Sequence, residues 1–143
     1  QALRIFVVDT EPFSESDDLK TEEIEQLKTF KKTFINAKIL KEEGNEWAFN
    51  EGCLSIPDVR EDVYRKERIT IEYCEEDFVV KTEVFEGLIA RVIQHEYDHI
   101  EGILFTDHLS ALKRRLLTKK LGIISKGELL VDYKMKFPAI RRR

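Results

Sequence analysis

The residues best suited to chemistry are His95, Glu96 and His99, within the run QHEYDH at positions 94–99. Two histidines four positions apart project from the same face of a helix, so both imidazoles can bind one divalent metal. The Glu96 carboxylate between them can act as a general base toward a water molecule. The pattern also arises by chance, in which case one histidine is solvated and the other packs in the core.

A catalytic site of this type needs three protein ligands and an open position for water. The extended metalloprotease pattern HExxHxxGxxH is followed as far as Gly102, but its third histidine is replaced by Phe105. The strongest candidate for the third ligand is Cys53, in the run EGCLSIP at 51–57. Gly52 allows a tight turn before the cysteine, and Pro57 restricts the backbone after it.

The run EGCLS followed by QHEYDH resembles the peptide deformylase family, metal hydrolases that remove the formyl group from nascent bacterial chains. The similarity extends from about Leu3 to about Lys136. It implies that Cys53, His95 and His99 hold one divalent metal per chain and that Glu96 is the general base. Ferrous iron is the native metal in many members, whereas zinc or nickel can occupy the same site. The ligand types alone suit zinc and ferrous iron equally.

The resemblance also implies roles around the metal. The backbone N–H of Leu54 donates a hydrogen bond to the oxyanion of the tetrahedral intermediate. The residues that line or border the substrate pocket are Leu54, Ile56, Arg60, Arg91 and Val92. Arg60 either holds the peptide backbone or forms a surface ion pair. Gln94 and Asp98 support the imidazoles from behind, and Glu51 is a structural partner for a nearby arginine.

Deformylases also carry an N-terminal glycine-rich motif, whose glutamine side chain supplies a second oxyanion donor. No matching sequence precedes the predicted strand at Leu3. Removing one such donor typically lowers the rate roughly a hundred- to a thousandfold. We therefore expect residues 1–143 to form a single deformylase-like domain that lacks the N-terminal segment. Two alternatives stay open: a catalytically impaired metal-binding fragment, and a general HExxH metalloprotease, against which Phe105 argues.

Composition limits the remaining possibilities. The chain of 143 residues has 24 basic and 28 acidic side chains, so its net charge of −4 argues against sequence-specific nucleic-acid binding. It contains no apolar run long enough to cross a membrane, and we expect a cytoplasmic bacterial protein that acts on N-formylmethionyl nascent peptides. Disulfide pairing of Cys53 with Cys74 is disfavoured there, and Cys74 is expected to be a strand residue.

The elements that must position these residues indicate an α+β fold of antiparallel strands wrapped around a central metal-binding helix, with a C-terminal helix. We expect a buried strand at 3–8, an acidic loop at 11–25 that can include a short helical turn, a strand at 30–40, a turn at 42–45 and a hairpin at 68–84. The central helix spans about 85–100 and stops at Gly102. Trp47 packs in the core or walls a cleft.

The C-terminal helix is predicted at 111–124, with Asp107 or Ser110 as its N-cap. Its apolar face is predicted to contain Leu112, Leu116, Leu117 and Leu121. Its basic face contains Lys113, Arg114, Arg115, Lys119 and Lys120. That face is either simply solvated or contacts an acidic partner such as the ribosome.

Overall fold

The computed structural model describes residues 3–15 and 20–137. Within them, four strands form one antiparallel sheet in the order β1-β2-β3-β4, accompanied by three α-helices. The elements are β1 (Ile5–Asp9), α1 (Thr21–Thr29), β2 (Lys31–Cys53), β3 (Ile56–Cys74), β4 (Val80–Glu86), α2 (Gly87–Glu101) and α3 (Ala111–Ser125). The predicted α+β class is confirmed. No helix in this part of the chain has both the length and the apolar character needed to span a membrane.

The first strand is half-buried. Phe6 and Val8 lie in the core, whereas Ile5 and Val7 are exposed, so the predicted buried strand is buried on one face only. Side chains alternate across a strand, and β1 lies at the edge of the sheet with β2 as its antiparallel partner. One row of side chains therefore packs inward and the other faces solvent.

The second and third strands are longer than predicted. β2 continues through the predicted turn at 42–45, where Gly44 adopts a φ of 81°. Glycine tolerates this left-handed conformation, so the strand passes through a position that sequence patterns treat as a break. The predicted acidic loop at 11–25 ends in a helix, because α1 begins at Thr21 and continues to Thr29, with Leu27 buried. Residues 16–19 of that loop lie outside the described residues.

The predicted hairpin is confirmed. β3 pairs with β4 in antiparallel register from Arg68 opposite Glu86 to Cys74 opposite Val80. Cys74 is a strand residue with a free thiol, as predicted. The hairpin ends directly at Gly87, the first residue of α2, so the chain leaves the sheet into the helix that carries both histidines.

Residue contacts divide the chain into two compact units. The first comprises the residues up to Trp47 together with Arg65–Leu104. Its core contains side chains from β1, β2, β3 and α2, among them Phe34, Ile71 and Ile93. Helix α2 ends at Gly102, which adopts the left-handed conformation with a φ of 77°, as the sequence predicts.

The second unit comprises Ala48–Tyr64 and the residues from Phe105 onward. Its core contains Ile56, Val59, Val63, Phe105, Leu109 and Ile124. The single domain predicted for 1–143 stays a prediction.

Helix α3 belongs to the second unit, and its N-cap is Ser110, whose hydroxyl accepts a hydrogen bond from the Lys113 N–H. Leu117 and Leu121 pack against the core, but Leu112 and Leu116 are 69% and 74% exposed. The predicted apolar face is therefore wrong for these two leucines. Consecutive residues are separated by about 100° around a helix, which turns Leu116 away from the stripe that contains Leu117.

Candidate metal centre

His95 and His99 lie one turn apart on α2. Their ring centroids are 4.9 Å apart with an interplanar angle of 87°, and both residues are partly buried. The helix is seated in the first unit by Ala90 and Ile93, which are fully buried. The two rings lie next to each other and both residues are partly buried, which differs from the alternative of one solvated histidine and one histidine in the core.

Cys53 is the last residue of β2, directly before the two-residue turn of Leu54 and Ser55 that leads into β3. It is not part of a disulfide, and its side chain is partly buried against the core of the second unit. A strand end followed by a tight turn restricts the cysteine backbone much more than an open loop does.

Cys53, His95 and His99 each offer one ligand atom, and these three atoms lie within 4.8 Å of one another. Among the residues that the structure describes, they form a group of ligating side chains able to hold a metal ion. One thiolate and two neutral imidazoles are a donor set that suits a divalent catalytic ion and leaves a fourth position open. The residues present therefore fit the implied metal.

Gln94 and Asp98, predicted to support the imidazoles, bind neighbouring elements of the first unit. The Gln94 side-chain amide donates to the carbonyls of Ala90 and Lys66, each at 3.1 Å, and so connects α2 to β3. Asp98 accepts a hydrogen bond of 2.7 Å from Arg65, with only 5% of the arginine and 13% of the aspartate side chain exposed. Orientation of the imidazoles by these two residues stays a prediction.

We expect Arg65→Met to lower the free energy of unfolding by about 3–5 kcal/mol, because it removes the cation of a buried ion pair and leaves the Asp98 carboxylate in its buried position. The matched control is Arg68→Met, also on β3, which removes a half-exposed ion pair with Glu86 of β4 and should cost less than about 1 kcal/mol. Urea unfolding of both variants measures the difference. Equal losses would contradict the assignment of Asp98 to a buried pair.

Arg91, predicted to border the substrate pocket, is only 2% exposed. Its guanidinium carbon lies 4.4 Å from the centre of the Trp47 ring, and its terminal nitrogen donates to the Trp47 carbonyl at 2.6 Å. Trp47 therefore stacks on a buried cation. Val92 packs against the core of the first unit. Substrate contact by Arg91 or Val92 stays a prediction.

The other predicted pocket residues lie in the second unit, along a groove of about 530 Å³ that also borders Cys53. Ile56 is buried in the core there, and Leu54 is 78% exposed. Arg60 donates from Nε to the Asn50 side chain at 3.0 Å and from a terminal nitrogen to the Asn50 carbonyl at 2.6 Å. These bonds hold Arg60 along the end of β2. Glu51 is buried, and its pairing with an arginine stays a prediction.

The C-terminal turn of α2 carries a charged network. Arg4 donates to Glu101 and, at 3.1 Å, to the carbonyl of Ala37. The hydrogen bond from Arg4, followed by one from Tyr97, holds the pKa of the Glu101 carboxyl below its usual range. Burial, followed by the bond to Glu101, raises the pKa of the Tyr97 hydroxyl. The network joins Arg4, which directly precedes β1, to β2 and to the helix that carries the histidines.

Sequence reasoning missed two residues next to these elements. Arg65 lies in β3, within a polar run that gives no sign of burial. Tyr133 follows α3 and donates from its hydroxyl to the Leu54 carbonyl at 2.8 Å. Neither contact has a local sequence signal, because each joins residues far apart in the chain.

Residues 1–115 match the model of the family described as polypeptide deformylase. The chain is 69% identical over 140 residues to a peptide deformylase of Flavobacterium johnsoniae, a match that covers 98% of this chain and 71% of the relative. It is 62% identical over 140 residues to a peptide deformylase of Flavobacterium psychrophilum, covering 98% of this chain and 72% of that one.

Solved structures show the same similarity. An Arabidopsis thaliana peptide deformylase 1B in complex with an inhibitor aligns with a TM-score of 0.65 and 30% identity, covering 69% of this chain and 55% of that one. A Plasmodium falciparum peptide deformylase aligns with a TM-score of 0.70 at 24% identity, covering 92% of this chain and 70% of the other, which speaks to the fold alone. These matches do not favour a general HExxH metalloprotease.

Proposed function

This chain belongs to the polypeptide deformylase family, and we propose that it hydrolyses the N-formyl group from the terminal formylmethionine of newly made polypeptides. The proposal is carried by the donor group of Cys53, His95 and His99. It occurs in a chain with 69% identity to a peptide deformylase. Family membership supports the reaction type, and the three ligating side chains support a metal site at which it would occur.

Cys53, His95 and His99 would hold one divalent ion. Such an ion supplies Lewis acidity, because it lowers the pKa of a water molecule toward neutrality and polarises a carbonyl. We propose ferrous iron as the native metal, with zinc or nickel able to replace it. A partly buried thiolate and two imidazoles accept all three ions, so the choice depends on metal availability and on protection from oxygen.

Glu96 is the proton carrier in this proposal. It lies next to His95 on α2, is partly buried, and stands outside the donor group. Its carboxylate takes a proton from the attacking water as the oxygen bonds to the formyl carbon. It then gives a proton to the amine nitrogen as the carbon–nitrogen bond breaks, which releases formate and the free N-terminus.

Leu54 is proposed to stabilise the oxyanion through its backbone N–H. Leu54 directly follows Cys53 and is the first residue of the turn, so its N–H belongs to the peptide bond that links it to the proposed thiolate ligand. A backbone donor requires little reorganisation as charge develops. The groove beside Cys53, with Leu54, Ile56 and Arg60 along it, is the proposed site for the formylmethionyl chain.

The proposed setting is the bacterial cytoplasm, where nascent formylated chains occur. A ribosome contact through α3 is also part of the proposal, and the exposed cations Arg114, Arg115 and Lys119 support it. Two other cations of the helix are engaged locally, since Lys113 pairs with Glu61 and Lys120 donates to the Asp58 carbonyl. The proposal therefore concerns the three exposed cations.

The test is deformylation of a formyl-Met-Ala peptide by the protein after anaerobic purification with ferrous iron. We expect release of formate and of the free amine in equal amounts, with one metal ion per chain by elemental analysis. Addition of a chelator should abolish turnover, and re-addition of ferrous iron should restore it. Bound metal without formate release would instead support the impaired-fragment alternative.

A further inference from the structure

The stretch after α3 forms a fixed feature of the second unit. We call residues 128–137 the C-terminal segment. Leu129 packs against the core of the unit, the same core against which the Cys53 side chain packs. At the other end, the Phe137 ring lies against Gly127, where an added Cβ would come within 2.9 Å of the ring. The segment is thus anchored to the core at Leu129 and returns to the end of α3 at Phe137.

Between these two anchors, the C-terminal segment lies along the groove next to Cys53. Leu130, Val131, Asp132 and Tyr133 line it together with residues of the β2–β3 turn. The Tyr133 hydroxyl donates to the Leu54 carbonyl at 2.8 Å. This bond connects the segment to the residue between the proposed metal ligand and the start of β3.

The turn has little packing of its own. Leu54 is 78% exposed, and Ser55 is exposed as well. A two-residue turn with solvent-facing side chains is restrained mainly by hydrogen bonds, so an added bond to its carbonyl limits rotation about the Leu54 backbone. The same backbone carries the N–H that we assign to the oxyanion.

We propose that Tyr133 is a positioning residue for the deformylase reaction. Its hydroxyl holds the Leu54–Ser55 turn, and with it the Leu54 N–H and the Cys53 backbone, in the geometry that the reaction requires. The effect of Tyr133 on catalysis rests on the proposed function, whereas its restraint of the turn does not. Tyr133 acts through Leu54 and needs no contact with the reacting atoms.

The test compares Tyr133→Phe, which removes only the hydroxyl, with Tyr64→Phe as the matched control. Tyr64 is an exposed tyrosine on β3 in the same unit and lies outside the groove. Both variants are assayed with formyl-Met-Ala, and amide hydrogen exchange is followed in the peptide that covers residues 50–56.

We expect Tyr133→Phe to lower kcat and kcat/KM together, by about twofold to tenfold, the range for loss of one hydrogen bond. Exchange at the turn amides should become faster by a similar factor, while exchange in α2 stays at the wild-type rate. Tyr64→Phe should match the wild type in both measurements.

Unchanged turn exchange in Tyr133→Phe would overturn the positioning role. Faster exchange throughout the second unit would also overturn it, because the bond would then serve general stability. If the wild type released no formate, the proposed function would fail, but the exchange comparison would still decide whether Tyr133 restrains the turn.

Discussion

Glu96→Gln is expected to lower kcat for formyl-Met-Ala by roughly a hundred- to ten-thousandfold, the range for loss of a general acid–base residue. The amide has nearly the shape of the carboxylate but cannot take up a proton from water. Because Glu96 is not among the proposed ligands, the variant should keep its metal. Initial rates and elemental analysis of the same preparation measure both effects.

The matched control for this variant is Glu101→Gln, the same change on the same helix. Glu101 pairs with Arg4 and lies outside the donor group. Its loss should leave kcat and metal content close to the wild type and reduce only stability. If Glu96→Gln instead lost its metal, Glu96 would be a structural residue of the site, and the assignment of proton transfer to it would be wrong.

Cys53→Ala is expected to have the second large effect, on metal retention. Loss of a residue that only hydrogen-bonds to a metal ligand weakens metal affinity by up to about 100-fold. Removal of one of the three ligands themselves should therefore weaken it by more than about 100-fold. Turnover should fall with the metal content. Titration of the metal-free protein under anaerobic conditions measures the affinity directly.

The control for Cys53→Ala is Cys74→Ala, which removes the second thiol of the chain from β3. This variant should bind one metal ion with wild-type affinity. Retention of metal and formate release by Cys53→Ala would contradict the three-ligand site and require another donor in place of the thiol.

Several features of the protein could be predicted because their signals are local. The spacing of His95 and His99 gives two imidazoles on one face of α2, and Gly102 ends that helix. The alternating residues of β3 and β4 form the predicted hairpin. Each pattern lies within a few consecutive residues, and backbone periodicity alone converts it into geometry.

Other features were predicted incompletely because packing overrode the local signal. β2 extends beyond the expected turn through Gly44, since pairing in a sheet can carry a strand across a residue that favours a break. The leucines of α3 were assigned to one face, yet Leu116 is exposed. Which leucines are buried depends on the surface that the helix meets.

The sequence by itself therefore determined the chemical groups, the helix that carries two of them and, through family resemblance, the reaction. Only the tertiary structure showed the bond from Tyr133 to the turn after Cys53, the Arg65–Asp98 pair and the stacking of Arg91 on Trp47. Each of these contacts joins residues far apart in the chain. Their geometry is set by the packing of whole elements, and no short-range pattern encodes it.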